Sequence, residues 1–128
     1  MANTATLSKE AVKKALVVED EGEMGLLLNI FLDEKNVELD YVSDLLSAGE
    51  YLENQQPALV ILDNKLPDGF GVDFISYIKR KYAAIKILMI SGFGSVKDVA
   101  LQNGADAFLE KPFTKSKLDQ AINKLLFR

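Results

Sequence analysis

Short apolar runs alternate along the chain with segments whose apolar residues have helical spacing. An apolar run bounded by turn residues is typical of a strand that is buried on both faces. These runs predict strands at 15–18, 58–62, 85–90 and 107–109, and an alternating apolar–polar segment predicts a half-exposed strand at 37–42. Each predicted strand is followed by a stretch with apolar residues at the three- and four-residue spacing of an amphipathic helix.

Five strand–helix pairs in strict alternation predict an α/β fold, a doubly wound five-stranded parallel sheet with helices on both faces. We expect the four apolar strands to be central and strand 37–42 to lie at an edge, in the flavodoxin-like order 2-1-3-4-5. The first helix is expected to use one apolar face, formed by Met24, Leu27, Leu28, Phe31 and Leu32. Gly104 is expected to end the fourth helix, and Thr114 to cap the fifth.

The ends and composition of the chain limit where it can act. Residues 1–13 are polar and small, so we expect a flexible N-terminal lead before one domain over residues 14–128. They contain no signal-peptide pattern, and no apolar run is long enough to span a membrane, so a cytoplasmic location is expected.

Histidine and cysteine are absent, and the net charge is −4. Their absence excludes disulfides, thiolate nucleophiles, imidazole bases and most zinc sites. A nucleophile must therefore be a carboxylate, hydroxyl or amine, and a metal must be a hard cation held by oxygen. The negative charge argues against a nucleic-acid surface.

Polar residues follow the predicted central strands at the point where each one ends, namely Glu19, Asp20, Asp63, Ser91 and Lys111. The carboxyl ends of parallel strands share one edge of the sheet, where ligands bind in open α/β folds. Taken singly, each residue has a plain structural explanation, since Asp often caps turns and a Ser or Lys-Pro is ordinary in a loop. Their joint occurrence at strand ends favours a functional site.

Clustered carboxylates at this edge would repel one another unless a cation neutralised them. An oxygen-only ligand set suits Mg²⁺, with Mn²⁺ as an alternative, and Mg²⁺ commonly shares its ligands with a phosphate. Lys111 and the Ser91 hydroxyl could then contact phosphate oxygens. Asp63, which lies between the other central strands, is the best-placed nucleophile for phosphorus.

Four segments, LVVEDE, LVILDNKLPDGFG, ILMISG and FLEKPF, occur in this order between residues 14 and 127. They resemble the receiver domain of two-component response regulators. The resemblance implies phosphoryl transfer to Asp63 from a histidine kinase or phosphotransfer protein. It also implies Mg²⁺ bound by Asp20, Asp63 and the main-chain carbonyl of Lys65, with Glu19 acting directly or through water.

The resemblance further implies a switch, in which Ser91 and Lys111 bind the phosphoryl oxygens. Ser91 would move toward the phosphoryl group and Phe108 would turn inward, reshaping the face formed by the fourth helix, fifth strand and fifth helix. Glu19 replaces the commoner Asp, and Phe108 the commoner Tyr. The Ser91–Lys111 spacing is short, so the fourth helix should be short, and we expect a cis Lys111–Pro112 bond.

Lys65 and Phe93 each stand two residues after a site residue, where the family's hydrolytic water would pass. We therefore expect both to influence the phosphoryl lifetime, with the bulky Phe93 slowing hydrolysis.

A bacterial signalling switch that assists its own phosphorylation, rather than an enzyme, is the favoured interpretation. One alternative is a Mg²⁺-dependent phosphohydrolase with an aspartyl-phosphate intermediate, but Lys65 stands where its second acid is needed. The other is a flavodoxin-type cofactor carrier, but acids replace its phosphate loop.

Expected partners are the phosphoryl donor and a downstream protein, without nucleic acid or membrane. We expect a monomer or weak phosphorylation-dependent dimer, either a single-domain protein or part of a larger one.

Overall fold

One parallel sheet of five strands organises residues 13–127, the part of the chain that the computed structural model describes. The strands are β1 (Lys13–Val18), β2 (Val37–Val42), β3 (Leu59–Asp63), β4 (Lys86–Ser91) and β5 (Ala107–Glu110). They lie in the order β2-β1-β3-β4-β5 and every neighbouring pair is parallel. The predicted flavodoxin-like order is confirmed.

Five helices connect and cover the strands. They are α1 (Gly22–Asp33), α2 (Leu45–Asn54), α3 (Gly71–Lys81), α4 (Lys97–Asn103) and α5 (Lys115–Leu126), with a 3₁₀ turn at Gly94–Val96. The fourth helix is short, as predicted, with seven residues. A small hairpin between β3 and α3, formed by Lys65–Leu66 and Gly69–Phe70, was not predicted.

Alternate residues of the central strands enter two separate apolar cores, one on each face of the sheet. In β3, for example, Leu59 and Ile61 join the core under α1 and α5, while Val60 and Leu62 join the core under α2, α3 and α4. This two-residue periodicity explains why the central strands are apolar throughout.

Local capping accounts for several helix ends. The Asp44 side chain accepts a hydrogen bond from the Ser47 N–H (2.8 Å) at the start of α2, and Thr114 does the same for the Lys117 N–H (3.1 Å) at α5. Gly104 follows α4 with a left-handed φ of +117°, which an L side chain rarely adopts. The predicted caps at Gly104 and Thr114 are confirmed.

Two packing predictions were wrong. Leu27 is 49% exposed, because the buried line of α1 runs through Gly25, Leu28 and Leu32 and Leu27 is turned about 100° away from Leu28. The strand at 107–109 was expected to be central, but β5 forms the edge opposite β2, and only β1, β3 and β4 have neighbours on both sides.

Residues 1–12 of the predicted N-terminal lead lie outside the described residues, and Lys13 is the first residue of β1. Within the described part of the chain, none of the helices has the length and apolar character needed to cross a bilayer.

The fold brings the ends of β1, β3, β4 and β5 to one edge of the sheet. The loop after β5 is attached to the end of β4, where the Lys111 N–H donates to the Ser91 carbonyl (2.9 Å). The Lys111–Pro112 peptide bond is cis, as expected.

Candidate functional site

A cleft of about 520 Å³ lies at the carboxyl edge of the sheet. Its lining consists of Asp20, Glu21, Asp63, Lys65, Leu66, Pro67, Ser91, Gly92, Phe93 and Lys111. The predicted residues Asp20, Asp63, Ser91 and Lys111 are therefore brought together, although they come from four different strand ends. Lys65, whose main-chain carbonyl was a predicted metal ligand, lies in the same lining.

Asp63 is the last residue of β3 and is only 6% exposed. Its Oδ2 lies 3.3 Å from the Nζ of Lys111, which also lies 3.2 Å from Oε1 of Glu21. An ammonium group thus bridges a buried carboxylate and an exposed one. Glu21, the third acid of the run after β1, was not predicted as a site residue. In the sequence, only its negative charge pointed to it.

The protonation of this ion pair is controlled by burial. Burial raises the pKa of Asp63, and the Lys111 charge and the hydrogen bonds that Lys111 and Asn64 donate oppose this rise without cancelling it. Burial also acts to lower the pKa of Lys111, but the negative charges of Asp63 and Glu21 outweigh it and raise that pKa. A further positive charge near Asp63 would therefore favour the ionised form of its carboxylate in the folded protein.

Ser91 ends β4 with its side chain buried, and 1% of the residue is exposed. Its Oγ accepts a hydrogen bond from the N–H of Phe93 (3.0 Å). This bond leaves the hydroxyl hydrogen free to donate to an oxyanion in the cleft. The predicted role of Ser91 as a donor to phosphoryl oxygens is consistent with this position.

Glu19 is placed differently from Asp20 and Asp63. Its Oε1 accepts a hydrogen bond from the Glu21 N–H, and its Oε2 lies 2.9 Å from the point where a Cβ on Gly25 would be. Glu19 therefore lines a neighbouring cavity beside α1. Burial raises the pKa of Glu19, and the negative charge of Asp63 adds to this rise.

The residues at the cleft fit a magnesium ion through two carboxylates rather than three. Among residues 13–127, no three acidic side chains are grouped closely enough to hold a metal ion. Asp20 and Asp63 both line the cleft, and Mg²⁺ is commonly bound by one or two carboxylates together with water. Glu19, the third carboxylate of the predicted set, accepts a hydrogen bond from the Glu21 N–H at the start of α1, and its part in metal binding stays a prediction.

The loop after Asp63 is closely packed against the helices. A Cβ on Gly71 would overlap the Asp63 carbonyl oxygen, so no side chain fits at this first position of α3. On the other side, the Asp68 carboxylate accepts hydrogen bonds from the N–H groups of Leu45 (2.9 Å) and Leu46 (3.0 Å) at the start of α2. The loop is thus attached to both helices.

Two aromatic side chains stand exposed near the cleft. Phe93 is 60% exposed and belongs to the cleft lining, whereas Phe70 is 53% exposed and does not. The predicted switch residue Phe108 lies farther off on β5, half-buried against the core under α2, α3 and α4. It lines another surface cavity, of about 590 Å³, with Gly94, Glu110 and Phe113 among others.

Comparison with known proteins identifies the family of this arrangement. The family model "Response regulator receiver domain" matches residues 15–123. The response regulator PilR of Pseudomonas aeruginosa is 32% identical over 112 residues, which are 86% of this chain and 25% of PilR. The phosphate regulon regulator PhoB of Escherichia coli is 31% identical over 120 residues, which are 91% of this chain and 52% of PhoB. The chain therefore spans only a quarter to a half of these relatives.

Solved structures agree with the sequence matches. The beryllofluoride-activated NtrC4 receiver domain dimer superposes with a TM-score of 0.83 at 30% identity, covering 89% of this chain and 96% of that one. The receiver domain of NtrX from Brucella abortus superposes with a TM-score of 0.80 at 30% identity, covering 88% and 97%.

Proposed function

The chain belongs to the response regulator receiver domain family, and we propose that Asp63 is the residue on which this phosphoacceptor domain is phosphorylated. The observation that carries the proposal is the 3.3 Å contact between the buried Asp63 carboxylate and the Lys111 ammonium, beside the Ser91 hydroxyl. This contact supports the proposal because a carboxylate, an ammonium group and a hydroxyl in one cleft are the groups that phosphoryl transfer needs.

The donor is a phosphohistidine on a histidine kinase or phosphotransfer protein. Asp63 attacks the phosphorus, the P–N bond of the donor breaks as a P–O bond forms, and the released imidazole nitrogen takes a proton. Lys111 and Ser91 are positioned to bind the phosphoryl oxygens, which carry most of the charge during transfer. The chain itself contains no histidine, so the imidazole must come from the partner.

Asp20, Asp63 and the main-chain carbonyl of Lys65 are the proposed Mg²⁺ ligands, with Glu19 acting through water. A bound Mg²⁺ would supply positive charge to the phosphoryl oxygens and to the crowded carboxylates. Mn²⁺ has similar oxygen preferences and is the alternative ion. Glu19 suits an indirect role because its carboxylate is already bonded to the Glu21 N–H.

The output side of the proposal involves Ser91 and Phe108. Met89 and Phe108 are partners across β4 and β5, and two residues further along Ser91 faces Glu110. A displacement of Ser91 toward a phosphoryl group would therefore act on the strand that carries Phe108. We propose that residues 14–128 form the receiver domain, that α4, β5 and α5 present its output face to a downstream protein, and that any dimer depends on phosphorylation.

A phosphohydrolase is the less favoured alternative. The residue two positions after Asp63 is Lys65, which is exposed at the cleft, so the second acid that such an enzyme needs there is absent. A switch retains its phosphoryl group, whereas a hydrolase releases it with turnover.

Incubation with acetyl phosphate and Mg²⁺, followed by intact-mass and peptide mass spectrometry, tests the proposal. We expect one phosphoryl group at Asp63, none in Asp63→Asn, and normal labelling in the matched control Asp68→Asn, which changes an exposed aspartate of the same loop. Labelling elsewhere, or none in the folded native chain, would contradict the assignment of Asp63. Repeated turnover of acetyl phosphate without a stable adduct would favour the hydrolase.

A further inference from the structure

Asn64 follows Asp63 directly and is itself buried, with 6% of its surface exposed. Its N–H donates to the carbonyl of Ile90 in β4 (3.2 Å), and its own carbonyl accepts from the N–H of Gly71 (2.6 Å). Its side-chain Oδ1 accepts from the N–H of Val72 (3.0 Å). Asn64 therefore connects the end of β3 to a neighbouring strand and to the first turn of α3.

These bonds replace a missing cap. The first N–H groups of a helix have no partners within the helix, and side chains or loops commonly supply acceptors for them. The N-cap residue of α3, Phe70, makes no such side-chain bond. Asn64 supplies two acceptors from outside the helix, one from its main chain and one from its carboxamide.

The next residue along the chain is Lys65, whose main-chain carbonyl is a proposed metal ligand. Lys65 is held on its other side by antiparallel pairing with Phe70, immediately before α3 begins. The Asn64–Lys65 peptide is thus fixed at both ends relative to the start of α3. Loss of the Asn64 side-chain bond would remove one of the two bonds from Asn64 to the start of α3, and would loosen the segment that leads into the Lys65 carbonyl.

We propose that Asn64 is a positioning residue, whose carboxamide holds the loop so that the Lys65 carbonyl faces the cation between Asp20 and Asp63. This inference rests on the proposed function, because it concerns the same metal site. It assigns a role to a side chain that touches neither the phosphoryl group nor the ion. Partners that orient metal ligands in this way typically contribute 10–100-fold to metal affinity.

An NMR titration of the full chain with MgCl₂ tests the proposal. Asn64→Leu keeps the branched shape of the side chain and removes the acceptor. We expect its dissociation constant for Mg²⁺ to rise about 10-fold. We also expect the Val72 amide to exchange with solvent faster than in the native chain. If this variant does not fold, Asn64→Ala carries the same expectation.

Asn103→Leu is the matched control. The Asn103 Nδ2 donates to the carbonyl of the same residue, Val72 (2.9 Å), but from α4 and away from the loop. Both variants lose one side-chain bond to Val72, and the urea midpoint of each reports how much general stability is lost. Only the Asn64 variant is expected to bind Mg²⁺ more weakly.

Native Mg²⁺ affinity in a folded Asn64 variant would overturn the inference, and so would equal weakening in Asn103→Leu. Either result leaves the proposed function intact if the native chain still binds Mg²⁺ and labels at Asp63. Absence of Mg²⁺ binding by the native chain would instead overturn the metal site and, with it, the role of Asn64.

Discussion

The Lys111 ammonium is shared between two carboxylates of very different surroundings. Asp63 is buried, so its attraction to Lys111 is weakly screened and is on the order of 4 kcal/mol at an effective dielectric near 20. The Glu21 side chain is mostly exposed, and ion pairs of this kind contribute about 0–1 kcal/mol. Lys111 is therefore held mainly by Asp63, and Glu21 adds a contact that an arriving phosphoryl group can displace at little cost.

At the same scale, Phe93 is expected to control access of water to the phosphorylated site. Its exposed ring belongs to the lining of the cleft, so Phe93→Ala should open a path for the hydrolytic water. We expect dephosphorylation to accelerate about fivefold, which corresponds to roughly 1 kcal/mol of barrier. Loss of the phosphoryl group, followed by intact mass after removal of acetyl phosphate, measures the rate.

Phe70→Ala is the control for this change, because Phe70 is similarly exposed but lies outside the cleft lining. Its rate should match that of the native chain. Lys65→Ala, at the cleft, is also expected to alter the rate. Unchanged rates in both Phe93→Ala and Lys65→Ala would show that neither side chain shields the phosphoryl group.

At the scale of elements, the loop between β3 and α3 determines how the site is held. Its residues pair in the hairpin and accept hydrogen bonds from the starts of α2 and α3, and Gly71, the first residue of α3, lies close to the Asp63 carbonyl. A loop so constrained has few alternative conformations. The site is consequently rigid on the Asp63 side, and motion on phosphorylation is expected on the Ser91 side.

Two glycine-to-alanine changes should have opposite effects on stability. In Gly71→Ala the new Cβ would meet the Asp63 carbonyl oxygen, and we expect a loss of about 2 kcal/mol or more in the free energy of unfolding. In Gly49→Ala, within α2, the new Cβ meets nothing within 4 Å, so helix propensity alone should add about 0.5–1 kcal/mol. Urea denaturation measures both, and equal effects would contradict the close packing at Gly71.

The buried Asp63 carboxylate destabilises the folded molecule when no metal ion is bound, because Lys111 does not fully offset its burial. Burial raises the pKa of Asp63 above its value in the unfolded chain. Between the two pKa values the native state binds more protons than the unfolded state, so stability falls as pH rises through this range. At pH values above this range Asp63 is ionised in both states, and its contribution to the free energy of unfolding stays unfavourable and no longer changes with pH.

Asp63→Asn should therefore raise the free energy of unfolding at pH 7, because it removes the buried charge. The gain should shrink as the pH falls and the native Asp63 becomes protonated. Saturating Mg²⁺ should stabilise the native chain, by about 2.7 kcal/mol at 100 times its dissociation constant, and affect Asp63→Asn far less. Urea denaturation between pH 4.5 and 7, with and without MgCl₂, measures these differences.

Asp68→Asn is the matched comparison in the same loop. Hydrogen bonds from the Leu45 and Leu46 N–H groups lower the pKa of Asp68, so its ionised form stabilises the fold and that contribution is lost as the pH falls. This variant should be less stable than the native chain at pH 7. A loss of stability in Asp63→Asn as well would show that burial does not dominate at Asp63.

The sequence predicts the strand order and two of the helix caps because these depend on local pattern. It also predicts the convergence of four site residues, because parallel strands end at one edge of the sheet; these residues are Asp20, Asp63, Ser91 and Lys111. The direction of the Glu19 carboxylate could not be predicted, since it depends on a hydrogen bond from the Glu21 N–H at the start of α1. The predicted burial of Leu27 was wrong because α1 has apolar residues around much of its circumference, and such a pattern does not reveal which side of the helix is buried. The caps that Asn64 and Asp68 supply to α3 and α2 depend on loop conformation.

The two hydrogen bonds from α2 to Asp68 give the molecule an internal reporter. A change of charge at Asp63 will alter the electrostatic environment of the Leu45 and Leu46 amides, which are bonded to the same loop but belong to a different helix. Their resonances can therefore follow occupancy of the cleft in real time, without a probe inside it and without a downstream protein present.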